Sequence, residues 1–322
     1  MRATASLLVF GVGLCFCSTA LADEKPKAKP KRLRRIDDAP VYVRNKADRS
    51  KWPRRIREGI DATRKYFGNY GPVYVYLLGP EDKKLNTKEF HRKIVETYCK
   101  NRAQGDPDRL AACRARTAKE LTEKALKGRG DAYLSYVDST KPPIAELVFI
   151  NPHEFHDPYI CTRGIHEYTH VYQKAFPRQP TWMTEGGAEF FAAYLGEKHG
   201  WASFRKAMKG YLENARRVED PKLGIEHMED VDKVSPSVKK YYRHLAYDSG
   251  AWAFAYLIHR SKHRRISDVK TVFYPLVAKH GWEKAVARFA QVKDKREFYE
   301  GFREFAKRPL AELLDVLKTL KD

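Results

Sequence analysis

Three short strand patterns in the first half of the chain, a histidine-bearing helix near its middle and almost unbroken helical periodicity beyond predict an α+β fold. The strands are read at Val73-Tyr74-Val75-Tyr76-Leu77-Leu78, at 132–137 and at 146–151, each rich in β-branched and aromatic residues. They are few enough for one small mixed sheet.

In order along the chain, Arg2, the apolar run 7–14 and Ala20-Leu21-Ala22 read as a secretory signal peptide over residues 1–22. Cys15 and Cys17 fall inside it without the small residues of a lipoprotein box, so a soluble secreted or periplasmic product is expected. Residues 23–45 read as a basic disordered arm, because Lys25 to Arg35 holds seven Lys and Arg interleaved with Pro26 and Pro30. A first domain is expected over 46–230 and a helical C-terminal subdomain completing its cleft over 231–322.

Within the first domain, 46–67 is amphipathic, with Trp52, Ile56, Ile60 and Tyr66 or Phe67 at helical spacing, and Gly68, Gly71 and Pro72 stop it. Polar helices follow at 87–101 and 107–127. A helix starting near Thr162 ends before Pro177. Further helices are read at 181–198, 201–217, 235–262, 266–279, 282–290, 295–307 and 309–320. Nothing approaches the roughly 18 uninterrupted apolar residues of a bilayer span after the signal. Three cysteines remain there, Cys99, Cys113 and Cys161. An oxidising compartment allows a Cys99–Cys113 disulfide across two helices, and three unpaired buried thiols are the alternative.

The net charge of +21 makes the body as well as the arm basic and predicts attraction to anionic cell-envelope surfaces. No nucleic-acid-binding motif accompanies it.

The chemistry is concentrated at His166-Glu167-Tyr168-Thr169-His170, an H-E-x-x-H pentapeptide. On a helix, positions i and i+4 share a face, so His166 and His170 can offer two imidazole nitrogens to one zinc ion, while Glu167 is placed to take a proton from water. Past Pro177, the next helix carries Trp182-Met183-Thr184-Glu185-Gly186-Gly187-Ala188-Glu189. Glu185 or Glu189 can complete a His-His-Glu triad, and the other carboxylate can support a ligand histidine through its free ring nitrogen. His153, His156, His259 and His263 lack such a carboxylate motif. His259 and His263 sit among Arg260, Lys262, Arg264 and Arg265 and read as a solvated helix face, and His153 is a candidate for lining the cleft.

At these residues the chain resembles the gluzincin metallopeptidases, the group that includes thermolysin and the zinc aminopeptidases. Their aminopeptidase branch pairs H-E-x-x-H with W-L-N-E-G-x-A, matched here by Trp182 to Ala188, and the resemblance makes Glu185 the third ligand and Glu189 its supporting neighbour. The gap usual in those families falls nearer Glu189. Tyr247-Asp248-Ser249-Gly250 resembles their Y-x-K-G, with Ser249 in place of Lys, and implies that Tyr247 stabilises an oxyanion; Tyr241, Tyr242 and His244 are alternates nearby. Metzincins are set aside because Gln173 and Phe176 stand where their pattern needs Gly and His. The G-A-M-E-N segment that grips a free amino terminus is absent.

The resemblance spans residues 161–251 and implies a zincin-like catalytic domain over 46–230, one Zn2+ ion and a protein or peptide substrate. Strand 146–151, as an edge above the cleft, would add the substrate as a further strand. The competing readings are a zinc-containing envelope-binding protein without turnover and a zinc hydrolase of another amide or ester.

Overall fold

The computed structural model describes residues 32–155 and 159–322. The signal-peptide reading of 1–22 and His156 lie outside them. The elements are β1 (Arg34–Arg35), β2 (Val41–Val43), α1 (Trp52–Phe67), β3 (Tyr70–Gly71), β4 (Val73–Leu78), α2 (Lys88–Ala103), α3 (Pro107–Ala115), α4 (Thr117–Leu126), β5 (Asp131–Val137) and β6 (Ile144–Ile150). Then come α5 (Tyr159–Gln173), α6 (Thr181–Lys198), α7 (Phe204–Ala215), α8 (Pro236–Lys239), α9 (Ser249–Arg260), α10 (Tyr274–His280), α11 (Trp282–Ala290), α12 (Lys295–Lys307) and α13 (Leu310–Thr319). Two π-helical segments, Arg243–Asp248 and Val269–Phe273, precede α9 and α10. The architecture is mixed α+β, with a small sheet and helices throughout the second half.

The sheet runs β2-β4-β6-β5, parallel between β2, β4 and β6 and antiparallel between β6 and β5. Alternation along its strands divides two apolar layers. Val73, Val75, Leu77, Leu147 and Phe149 pack with Ile56 and Ile60 of α1 and Tyr168 and Val171 of α5. Tyr76, Leu78, Val148 and Ile150 pack on the other face with Ile94, Val95 and Tyr98 of α2 and Leu121 of α4. A third core, built from Trp182, Phe190, Trp252, Phe254, Phe298 and Phe305 among others, fills the helical half.

Four expectations need correction. Residues 33–43 are not part of a disordered arm: Leu33 is buried, β1 pairs with β3, and β2 lies parallel to β4. Asn69 Nδ2 donates to the carbonyls of Ile36 and Asp38 at 3.0 and 2.6 Å, tying this stretch down. The charge run hid the apolar residues Leu33, Ile36, Val41 and Val43 that follow or interrupt it. Strand β6 is not an edge, since β4 and β5 flank it, and β5 is the edge strand beside it. Residues Lys31–Asp322 form one compact unit, and the third core joins residues on both sides of position 230. The helices at 107–127, 235–262 and 266–279 are each divided, at Arg116, at the first π-helical segment and at the second.

The disulfide joins Cys99 of α2 to Cys113 of α3. Cys161 lies buried within α5, which begins at Tyr159, with its thiol 3.9 Å from Glu58. No helix among the described residues is long and apolar enough to cross a membrane.

Candidate metal centre

Two close helix crossings set this site. Where α5 meets α1, a Cβ on Gly59 would lie 2.0 Å from the Cys161 carbonyl oxygen, and one on Gly164 would lie 2.6 Å from that of Ile56. Where α6 meets α9, a Cβ on Gly186 would lie 2.1 Å from the Gly250 carbonyl carbon. The first contact seats α5 against the sheet layer. The second brings the π-helical segment preceding α9 up to α6. Trp182 anchors the start of α6 by donating Nε1–H to Tyr299 at 3.1 Å and stacking on Phe298.

On this frame His166, His170 and Glu185 converge. The two Nε2 atoms are 3.1 Å apart, and Glu185 Oε2 stands 3.5 Å from His166 Nε2 and 3.3 Å from His170 Nε2. Three donors held at about 2.0–2.1 Å by one tetrahedral ion stand roughly 3.3–3.4 Å apart, so the triangle has the size that zinc requires. Glu185 Oε2 is buried without a hydrogen-bond partner, as a ligand atom would be. Among the described residues, these three form the group of His, Cys, Asp or Glu side chains able to hold a metal ion.

Electrostatics point the same way. Burial opposes a charge on His170, yet Glu185 beside it, with Glu167 further off, raises its pKa to about 9. Burial likewise opposes ionisation of Glu185, but the histidines hold its carboxyl well below the ordinary range. The pocket therefore favours one positive charge among its donors.

Glu189 does not reach the triangle. It lies behind His166, with Oε1 3.7 Å from Nδ1, which has no hydrogen-bond partner. Tyr211 donates to Glu189 Oε2 at 2.8 Å and Arg243 Nη2 approaches Oε1 at 2.9 Å. Burial works against its charge, but His166, Arg243 and Arg163 hold its pKa at about 2. Glu167 is buried on α5 with Arg163 Nη1 at 3.8 Å.

Tyr247 comes from the π-helical segment Arg243–Asp248. The wider turn stacks residues five apart, and Arg243 Nε accordingly faces Asp248 Oδ1 at 4.0 Å. The Tyr247 ring lies parallel to that of His166 with centroids 5.9 Å apart, beneath the Arg243 guanidinium at 4.5 Å. Burial and the neighbouring Glu185 and Tyr242 raise its pKa, keeping the hydroxyl protonated. Of the alternates, Tyr242 packs edge-on against Tyr247 at 5.4 Å, and His244 turns to Asp248 at 3.3 Å.

The other histidines stay out of the cluster. His153 pairs with Glu154 at 3.3 Å, and His263 with Asp268 at 3.2 Å. His259 stacks on Phe305. Sequence reasoning overlooked Arg243, Tyr211 and Arg163, and used Gln173 only to exclude another family. Arg163 stands four residues before Glu167 and Gln173 three after His170, so helical spacing could have found both; Arg243 and Tyr211 arrive through packing alone. No protein-family model, curated protein or solved structure matches the chain.

Proposed function

We propose that the chain is an exported zinc metallopeptidase of gluzincin type, its zincin-like catalytic part holding the ion through His166, His170 and Glu185. The observation that carries this reading is the triangle of donor atoms 3.1 to 3.5 Å apart. Bound zinc would supply Lewis acidity, polarising a carbonyl and bringing the pKa of water towards about 7. Glu167 then accepts the water's proton and passes it to the leaving amine. Tyr247 donates its phenolic hydrogen to the developing oxyanion, a contact that strengthens as negative charge accumulates. Glu189 steadies His166 from behind.

Strand β5 ends the sheet, and an extended peptide would pair beside it as a fifth strand. Export is supported by the Cys99–Cys113 disulfide, a bond of oxidising compartments. The charge of +21 favours anionic envelope surfaces near the substrate.

Metal analysis and a peptide-library digest of wild type and Glu167→Gln test the proposal. Zinc content should persist while turnover falls about 10^2–10^4-fold. Undiminished hydrolysis in the variant rejects it. Zinc without hydrolysis of any peptide by wild type, joined to salt-sensitive envelope binding, favours a binding protein; cleavage of other amides or esters alone transfers the chemistry to a non-peptide substrate. Tyr247→Phe should lower kcat about 10^2–10^3-fold with zinc retained.

A further inference from the structure

We infer that Gln173 is a positioning residue whose side-chain amide selects the nitrogen that His170 presents to a cation and ties that ring to the helix carrying Glu185. The inference rests on the metal reading of the site.

Gln173 closes α5 one turn beyond His170 and is 3% exposed. Its amide has two chemically distinct ends, an NH2 that only donates and an oxygen that only accepts. Nε2 lies 3.0 Å from the Thr184 carbonyl oxygen and 3.4 Å from that of Met183, both in the first turn of α6. Carbonyl oxygens can only accept, so the NH2 must face α6 and the oxygen must face the other way. There Oε1 meets His170 Nδ1 at 2.8 Å. An accepting oxygen requires a proton on Nδ1. The neutral imidazole is thereby the tautomer with a bare Nε2, and Nε2 is the atom that stands in the triangle with His166 and Glu185. Flipping the amide would set its oxygen against two carbonyl oxygens, so the backbone of α6 decides the tautomer of a residue on α5.

The second glycine of Glu185-Gly186-Gly187 makes the reach possible. A Cβ on Gly187 would lie 3.1 Å from Gln173 Nε2 and 2.8 Å from the Phe254 ring. Gln179 Nε2 donates to the Gln173 carbonyl at 3.1 Å and holds the end of α5 in place. One amide thus couples the orientation of one proposed ligand to the helix that supplies another.

The test uses 15N NMR of the histidine side chains together with zinc dissociation constants from chelator competition, on wild type, Gln173→Met and Gln173→Glu. Wild type should show a slowly exchanging His170 Nδ1–H with or without zinc, and zinc should attach at Nε2. Gln173→Met should lose the protected proton and bind zinc about 10–100-fold more weakly. Gln173→Glu still offers an acceptor to the Nδ1 proton and should retain the signal, while its second oxygen, facing the Thr184 and Met183 carbonyls, loses the tie to α6. Zinc attached at Nδ1 in wild type overturns the inference, as does Gln173→Met with its proton protected and its zinc affinity within about twofold of wild type. If Gln173→Met does not fold, the wild-type spectrum alone decides. A protected Nδ1–H in wild-type protein that binds no zinc defeats the metal reading and leaves the tautomer assignment standing. Absence of that proton defeats the assignment whatever zinc does.

Discussion

Glu146, on the sheet face covered by α2, and Glu185, between α5 and α6, are both withdrawn from solvent, yet their carboxyls are displaced in opposite directions. Burial dominates at Glu146 and raises its pKa even though Arg102 Nε bonds it at 2.8 Å and Ser135 Oγ at 3.2 Å. At Glu185 the imidazoles outweigh burial and lower it. The first is a carboxylate with its own guanidinium on Oε2, while Oε1 is buried without a hydrogen-bond partner, and it serves the packing of α2 on the sheet. The second belongs to a group of two imidazoles and one carboxylate whose donor atoms converge on one point. A buried carboxylate set against a single guanidinium serves packing, whereas one grouped with two imidazole nitrogens around a single point marks a candidate binding site.

The same contrast holds for histidine. His91, buried on α2 with Nε2 2.7 Å from Asn86 Oδ1, is held neutral, its pKa lowered by burial to about 4. His170 is raised to about 9.

The sharpest way to break the comparison is to neutralise each carboxylate. Glu185→Gln should weaken zinc binding by about 100-fold or more, since a ligand is lost outright. In calorimetric or dye-displacement titrations, Glu146→Gln should leave that affinity within about twofold. Equal losses in both variants would erase the distinction.

Next in size is acid sensitivity. His91 has a folded pKa below the ordinary 6.5, so the unfolded chain takes up the proton first. Its contribution is fully present above pH 6.5 and is lost as pH falls towards about 4, reaching roughly 3 kcal/mol. Denaturant titrations from pH 7 to 4 should show that loss in wild type, and His91→Leu should flatten the slope.

His170 has the opposite sign. Its raised pKa adds stability that is complete below 6.5 and disappears as pH rises through about 9. Melting of zinc-free protein between pH 7 and 10 should reveal the decline, and saturating zinc should abolish it. A decline unchanged by zinc would place its origin elsewhere.

The smallest effect expected is the stability cost of Glu146→Gln, about 1–2 kcal/mol, because the amide oxygen still accepts from Arg102, whose side chain is 33% exposed. A cost as large as about 5 kcal/mol would show that the sheet-side carboxylate is far less well compensated than its contacts imply.

Much of the candidate site was legible because its spacing is local. His166, Glu167 and His170 share one helix, and Glu185 follows on the next, twelve residues beyond the end of α5. Glu189, one turn further, had to be weighed against Glu185, and only the crossing of the two helices separates a carboxylate facing both Nε2 atoms from one facing Nδ1. The edge reading of 146–151 failed for a related reason. All seven residues of β6 are buried, as an apolar run leads one to expect of a strand covered on both faces, but strand order is a matter of pairing between distant segments. The arm failed where a strong charge signal masked a weak apolar one.

The sequence by itself determined the α+β class, the helical second half and the presence of an i, i+4 histidine pair with an adjacent carboxylate, because these depend on periodicity within single elements. Tertiary structure decided which carboxylate meets the histidines, that a π-helical turn brings Tyr247 and Arg243 to them, that β5 rather than β6 is an edge strand, and that Gln173 faces carbonyls of α6. Each of these depends on close contact between elements far apart in the chain. Glycine permits two of those contacts, at Gly186 with Gly250 and at Gly187 with Gln173. The residue type is visible in the chain, but its partner is known only once the helices cross.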